Sequence, residues 1–398
     1  MKNLNNYKIE NKKILFRADL NVPVVDGIIT DTSRIEAIKS SIKKLTSNKN
    51  KIFLMAHFGR PKGEIVDKYS LNFILTSLKE TLNLDKVFFL DNFDHNSVDK
   101  KINEMQAGNL CLIENIRFLK QEENIDLNFA KKMSSLFDVY VNDAFSASHR
   151  DHTSITGFSK FLPAVAGNHM IMEIDSINSF LDNAKKPNMA IIGGSKISTK
   201  IQLLNNLIEQ FSAVAIGGAM ANTFLLANNY NIGKSLVERD LIQEANNIQL
   251  KAKKLSCELL LPVDILCGKN IYDTNPVHRK INEVLPEEMI LDIGDDSTHL
   301  INNKIINSKM VLWNGPVGAF EFKPYDKATN AIANIIKINS KKLNINTLAG
   351  GGDTVSAIKN TNAEDGFDYI SNAGGAFLEW LEGDESPGVK SLKENNFT

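Results

Sequence analysis

Residues 13–56 read KILFRADLNVPVVDGIITDTSRIEAIKSSIKKLTSNKNKIFLMA, and this stretch decides the fold class. Its first apolar run, 13–18, predicts a strand. Residues 33–45 then put Ile35, Ile38, Ile42 and Leu45 on one helical face, and a second apolar run follows at 51–56. Ser33 with Glu36 three residues later predicts a capping box at the helix start. Strand, helix and strand in succession imply parallel pairing with helices covering the sheet.

The alternation continues outward from there. A helix is expected over 71–82, strands over 87–90 and 110–113, a helix over 127–136 and a strand over 139–142. The second half repeats the style, with strands expected at 189–192, 213–216, 259–263, 310–313, 346–349 and 369–371. Between the halves, Met170, Ile171, Ile174, Ile177 and Leu181 recur at helical spacing before Pro187. The expectation is an α/β protein of two Rossmann-like, doubly wound parallel-sheet lobes joined by a helical hinge. The boundaries read as 1–168, an inter-lobe helix over 169–186, and 187–379, with residues 380–398 packing back on the first lobe. A length of 398 residues suits two domains.

Composition narrows the function class. Hydrophobic residues make up 43% and charged residues 23%, with a net charge of -1, so there is no basic bias toward nucleic acid. The N-terminus, MKNLNNYKIENKK, lacks the apolar segment of a secretory signal, and no apolar run is long enough to span a bilayer. Cys111, Cys257 and Cys267 form no CxxC pair and read as buried thiols of a reducing compartment. A cytoplasmic protein with no membrane or nucleic-acid partner is expected. Of 46 basic residues only seven are arginine: Arg17, Arg34, Arg60, Arg117, Arg150, Arg239 and Arg279. Five fall in the first 150 residues. The guanidinium fork binds phosphate or carboxylate through two parallel hydrogen bonds, which an ammonium cannot do. That concentration points to an anion site in the N-terminal half, against the alternative of chance clustering and structural ion pairs.

The chemistry-bearing residues follow strands, where ligands of open parallel sheets bind. In the first half, four strand ends deliver Asp19 and Asn21; His57, Phe58, Gly59 and Arg60; Asn115 and Arg117; and Asn142, Asp143, His149 and Arg150, with Arg34 near the first helix. Together they make a cluster of forks for a small anion bearing carboxylate and phosphate. The second half offers glycines: Gly193-Gly194-Ser195-Lys196 leading into a helix carrying Lys200, Gly217-Gly218, Asn314-Gly315-Pro316-Val317-Gly318 with Glu321, and Gly350-Gly351-Gly352-Asp353-Thr354. Glycines let backbone N–H groups approach phosphate, and Asp353 is placed to meet a magnesium ion travelling with nucleotide phosphates. An isolated Gly-Gly pair is only a tight turn; four at successive strand ends favour a nucleotide site. Gly233-Lys234-Ser235 lacks the Walker A glycine, His149-Arg150-Asp151 lacks the rest of a protein-kinase loop, and no GxGxxG is present. Trp313 and Trp380 read as core.

In this order, RADLNVP, HFGRP, ENIRF, VNDAFSASHR, GGSK, LPVD, WNGPVGAFE and GGGDT resemble the phosphoglycerate kinase family over essentially the whole chain. The resemblance implies reversible phosphoryl transfer from 1,3-bisphosphoglycerate to Mg-ADP, giving 3-phosphoglycerate and ATP, by a monomer whose lobes close about a hinge. It implies that Asp19, Asn21, Arg34, His57, Phe58, Gly59, Arg60, Arg117 and Arg150 hold phosphoglycerate on the N-terminal lobe. It implies a nucleotide pocket of Gly194, Ser195, Lys200, Gly217, Gly218, Asn314, Pro316, Glu321, Gly350, Gly351, Gly352, Asp353 and Thr354, with Asp353 toward Mg²⁺. Arg34, Lys196 and Lys200 become the catalytic cations, with support from the helix N-terminus after GGGDT. The sequence departs from the family pattern at Ser146-Ala147, Thr199, Gly294-Asp295 and 371–377. The alternatives are a non-catalytic phosphometabolite-binding protein on the same scaffold, or a kinase for another small carboxylic acid.

Overall fold

In the first half of the chain, short runs buried on both faces alternate with helices. The computed structural model describes residues 1–397 and divides into two compact units, Met1–Asp175 with the C-terminal segment from Glu385, and Ser176–Asp384. The first unit holds β1 (Lys13–Arg17), β2 (Lys51–Met55), β3 (Val87–Leu90), β4 (Leu110–Ile113), β5 (Val139–Asn142) and β6 (Ala164–Ala166). All are parallel, in the order β3-β4-β2-β1-β5-β6. Arg17 is paired with Met55 on one side and Asn142 on the other, so three strand ends lie next to one another. The chain order reverses at β1, the place where such sheets open a crevice.

The helix expected over 33–45 is two helices, Ser33–Ala37 and Lys39–Ser47, broken at Ile38, although Ile35, Ile38, Ile42 and Leu45 are all buried. No capping box forms. The N-cap is Thr32, without a side-chain bond, and the Ser33 N–H donates to the Asp31 carboxylate at 2.7 Å. The stretch 71–82 opens as a 3₁₀ turn, Leu71–Ile74, before the helix Leu75–Leu82, and the next expected helix stops at Ser134. A helix not foreseen, His95–Glu104, starts where the Asp94 carboxylate accepts the Asn96 and Ser97 N–H groups at 2.9 and 3.0 Å. The C-terminal helix Pro387–Lys393 belongs to this unit, with the Gly388 N–H bonded to Ser148 O at 2.8 Å. The helix Asn168–Asp182 carries the division between the units.

The second unit holds β7 (Asn188–Ile192), β8 (Ala213–Ile216), β9 (Glu258–Leu260), β10 (Asp264–Gly268), β11 (Val277–Lys280), β12 (Met289–Ile293), β13 (Met310–Asn314), β14 (Asn346–Gly350) and β15 (Tyr369–Ser371). Six form a parallel sheet, β9-β8-β7-β13-β14-β15, and three a separate antiparallel one, β11-β10-β12. That second sheet corrects the single strand expected over 259–263. Pro262 has no N–H for a ladder, so the parallel strand ends at Leu260 and the chain enters another sheet at Asp264. The buried Asp264 carboxylate accepts from Ser297 N (2.8 Å), Ser297 Oγ (2.6 Å) and Asp296 N (3.0 Å), capping the helix Asp295–Ile306, and pairs with His278 Nε2 at 2.7 Å. Trp313 is core as expected, whereas Trp380 is only half-buried, its indole N–H donating to Asn178 Oδ1 at 2.9 Å. Among the described residues no helix is long and apolar enough to cross a membrane.

Candidate active site

The first unit gathers its polar residues where β1, β2, β4 and β5 end. Asp19, two residues past β1, is the hub. Its carboxylate pairs with Arg34, accepts the Ser146 hydroxyl, and accepts the Asn21 N–H at 3.0 Å. Asn21 Oδ1 in turn accepts the Gly59 N–H at 3.0 Å, and Gly59 O accepts from Arg117 Nη1 at 2.7 Å. Loops after four strands are thereby tied together. Asn115 clamps them further: its amide donates to Phe58 O (2.7 Å) and Tyr69 O (2.9 Å), and its Oδ1 accepts from Phe58 N and Arg117 N.

His57, 6% exposed, lies in the middle of this arrangement. Burial first, then the charges of Arg17, Arg117, Arg150 and Arg34, hold its pKa well below the ordinary imidazole value. His149 is likewise pushed down to about 4, by burial and by Arg150, whose Nε donates to His149 Nε2 at 3.2 Å. Two neutral imidazoles among guanidinium groups leave the positive charge on the arginines. Arg117, with Glu123 3.4 Å away, is lowered to about 10, chiefly by burial. Arg60 is exposed, and among the described residues no hydrogen bond or ion pair of its side chain ties it to the others.

In the second unit three strand ends are joined through Lys200 and Asn314. Lys200 is not inside a helix; it is the N-cap residue before Ile201–Gln210. Its Nζ donates to Gly193 O (2.6 Å), Asn314 Oδ1 (2.6 Å) and Asn314 O (3.4 Å). Burial lowers its pKa to about 8, against the opposing pull of Asp353 and Glu382. Asn314 Nδ2 donates to Gly350 O at 2.7 Å, and the Gly315 N–H to Thr354 Oγ1 at 2.6 Å. The helix Gly352–Asn360 begins inside the triple-glycine motif rather than after it, which puts Asp353 in its first turn, exposed, with open space beside Gly352.

Not every glycine serves a ligand. A Cβ on Gly193 would stand 1.9 Å from Pro316 O, and one on Gly218, at φ +66°, would stand 2.6 Å from Gly194 O. These two let loop backbones pack on each other. Gly217 is covered by Val317. The open surface is a cavity of about 470 Å³, lined by Gly194, Ser195, Gly218, Pro316, Glu321 and Asp353 together with apolar walls such as Leu236, Ile290, Phe320 and Phe322. Apolar walls with a few polar groups among them suit a flat base carrying a charged tail.

A sequence profile described as phosphoglycerate kinase matches residues 4–384. A phosphoglycerate kinase of Rhizobium meliloti is 43% identical over 391 residues, 98% of this chain and 97% of that protein. One of Brucella melitensis is 42% identical over 393 residues, covering 98% and 99%. The solved structure of phosphoglycerate kinase from Coxiella burnetii superposes with a TM-score of 0.86 at 34% identity, covering 98% of both chains. The chain belongs to the phosphoglycerate kinase family. Its activity is that of the family, a phosphotransferase acting on phosphoglycerate with a nucleotide substrate.

Within the phosphoglycerate kinase scaffold, the residues read from strand ends separate into those in direct contact and those apart. Asp19, Asn21, Arg34, Gly59 and Arg117 are bonded into one network, Phe58 joins it through Asn115, and His57 and Arg150 lie within its electrostatic reach. Lys200, Asn314, Gly350 and Thr354 form a buried layer beneath the loops, while Lys196 is exposed and lines no part of the cavity. Arg17 was missed as a site residue, and Asn115, which the strand ends did supply, was not foreseen as the clamp between loops. The signal for Arg17 was present in the scarcity of arginine; its position inside a strand hid it.

Proposed function

We propose that the first unit holds the phosphoglycerate and the second holds Mg-ADP or Mg-ATP, and that the γ-phosphoryl group passes in line between them after closure about the inter-lobe helix. The observation that carries this reading is the gathering of Arg17, Arg34, Arg117 and Arg150 around His57. A dianionic phosphate and an adjacent carboxylate are the small ligand that such a surplus of forks accommodates. Asp19, Asn21, His57, Phe58, Gly59 and Arg60 complete that half-site. In the other half, the apolar walls take the base, Glu321 faces the ribose, and Gly194, Ser195 and Gly218 lie along the phosphates.

Phosphoryl transfer asks for alignment and for neutralising charge on the equatorial oxygens. Arg34, Lys196 and Lys200 supply cations, and the N-terminus of Gly352–Asn360 adds partial positive charge. Asp353 offers a single exposed carboxylate, which fits a magnesium ion that brings most of its shell as phosphate oxygens and water. That ion, arriving with the nucleotide, neutralises phosphate charge. Closure excludes water, which limits hydrolysis of an acyl phosphate. The reading extends to a cytoplasmic monomer in glycolytic and gluconeogenic flux.

A coupled assay with 1,3-bisphosphoglycerate and Mg-ADP tests it. ATP formation that needs both substrates, and that is lost in Asp353→Ala and Arg34→Ala, is the expected result. Tight binding of both ligands with no ATP would leave only a phosphometabolite-binding protein.

A further inference from the structure

Arg17 ends β1 with 1% of its surface exposed, so its charge is carried into the core. Its Nε donates to Ser154 Oγ at 2.8 Å and its Nη1 to Ala18 O. Ser154 passes the contact on, its N–H donating to Glu122 Oε2 at 2.9 Å and its hydroxyl to Glu122 Oε1 at 2.7 Å. Glu122 is 2% exposed, with His152 Nδ1 3.6 Å away. The guanidinium thus has its counter-ion one hydroxyl away, as a buried charge requires. The remaining nitrogen, Nη2, lies 3.2 Å from His57 Nδ1.

That last contact has only one chemical sense. A guanidinium in a protein stays protonated and has donors but no acceptor. His57 Nδ1 must therefore present its lone pair, and a neutral imidazole that accepts at Nδ1 carries its proton on Nε2. Protonating Nδ1 would set N–H against N–H and place a cation beside Arg17, with Arg34, Arg117 and Arg150 also facing the ring. The nearby carboxylates are engaged elsewhere: Asp19 by Arg34 and Ser146, Glu123 by Arg117, and Glu122 behind Ser154. His57 Nε2 has no protein partner among the described residues.

We propose that Arg17 is a positioning residue that locks His57 in the neutral Nε2–H tautomer, so that His57 offers bound phosphoglycerate one hydrogen-bond donor and no charge. This rests on His57 facing the phosphoglycerate, as proposed above. The division of labour is chemical: the arginines carry the charge that binds anions, and His57 supplies direction without adding a repelling cation.

Long-range proton–nitrogen NMR of the full chain, labelled with ¹⁵N-histidine and assigned with His57→Gln, tests the lock. The expected spectrum has a pyridine-like Nδ1 and a pyrrole-like Nε2, unchanged from about pH 8 to about pH 5, the range in which an ordinary histidine titrates. A proton on Nδ1, or an imidazolium near neutrality, overturns the proposal. In Arg17→Gln, whose amide can donate or accept, the two tautomers should exchange. A folded Arg17→Gln protein that keeps the parent's single tautomer also overturns it, because Arg17 is then not the lock. Should that variant fail to fold, Arg17→Met, of similar length and with no donor to offer Nδ1, replaces it with the same expected exchange. Adding 3-phosphoglycerate should shift the Nε2 signal. The locked tautomer with an Nε2 signal that stays put leaves the lock standing and removes the substrate role of His57.

Discussion

Arg34 is half-buried against the Asp19 carboxylate, with its pKa lowered by burial, and in the proposed transfer it is the cation whose geometry as well as charge counts. Arg34→Lys keeps the charge and loses the fork, so turnover should fall by more than the KM for phosphoglycerate rises. Steady-state kinetics check this, and an unchanged kcat would remove Arg34 from the transfer step. Lys200 differs in that its ammonium is held by three backbone and amide oxygens, all of which favour the charged form, while burial brings its pKa to about 8. A lysine is charged below its pKa and neutral above it, so kcat/KM for Mg-ADP should decline as pH rises through about 8, and Lys200→Arg should flatten that limb. Lys200→Ala should lower turnover on the order of 10²–10³-fold, as for one lost electrostatic donor. A parent profile flat to pH 9.5 and above, roughly a unit and a half past that point, would sever Lys200 from catalysis. Sequence exposed these residues unevenly. Asp19, Asn21 and Arg117 were legible because strand ends of parallel sheets are where such side chains converge. Arg17 was not, since its carbonyl and N–H belong to β1 and nothing in the linear order says that its side chain reaches His57, 40 positions on.

At the scale of elements, the parallel strands were legible from continuous apolar runs, with most bounds within a residue or two, except β6, whose three residues Ala164–Ala166 are too short a run to stand out. The antiparallel sheet β11-β10-β12 was not. Its strand β11, Val277-His278-Arg279-Lys280, is exposed or half-exposed along its length, so it shows neither a buried run nor an alternation. The sheet's own core cluster is small, Ile265 and Cys267 with Val284, and Arg279 pairs with Glu288 at 2.7 Å, while one carboxylate ties the sheet to the neighbouring helix. Asp264 opens β10 and caps the helix Asp295–Ile306 through three donors, with His278 of β11 on its other side. Removing it leaves the two buried Ser297 donors without that partner. Asp264→Ala should cost about 3–5 kcal/mol of the second unit's stability, the range for stripping one partner from a buried charged network. Urea unfolding followed by tryptophan fluorescence reads this unit directly, because Trp313 and Trp380 both lie within Ser176–Asp384. A change below about 1 kcal/mol, the size of one ordinary hydrogen bond, would mean that the helix is held by other contacts.

Across the whole molecule, the chain keeps two chemistries in two separately packed units. One core is built around β1 and β2 and carries the arginines; the other surrounds Trp313 and carries the glycine loops. If each unit holds its own substrate, each ligand alone should slow hydrogen exchange mainly in its own unit. With 3-phosphoglycerate, protection should rise at Asn21, Gly59 and Arg117, whose N–H groups already belong to the strand-end network. With Mg-ADP it should rise at Gly193, Gly218 and Gly315, whose N–H groups tie the glycine loops together. Closure adds a further requirement, because bringing two bound ligands together orders segments that neither ligand reaches alone. The ternary mixture of 3-phosphoglycerate and Mg-ADP should therefore protect the helix Asn168–Asp182 and residues 371–377 beyond the sum of the two single-ligand maps. Peptide-resolved exchange by mass spectrometry measures all three states on one preparation. Strictly additive maps would argue for two independent binding units and against transfer by closure, whatever the affinity of each ligand.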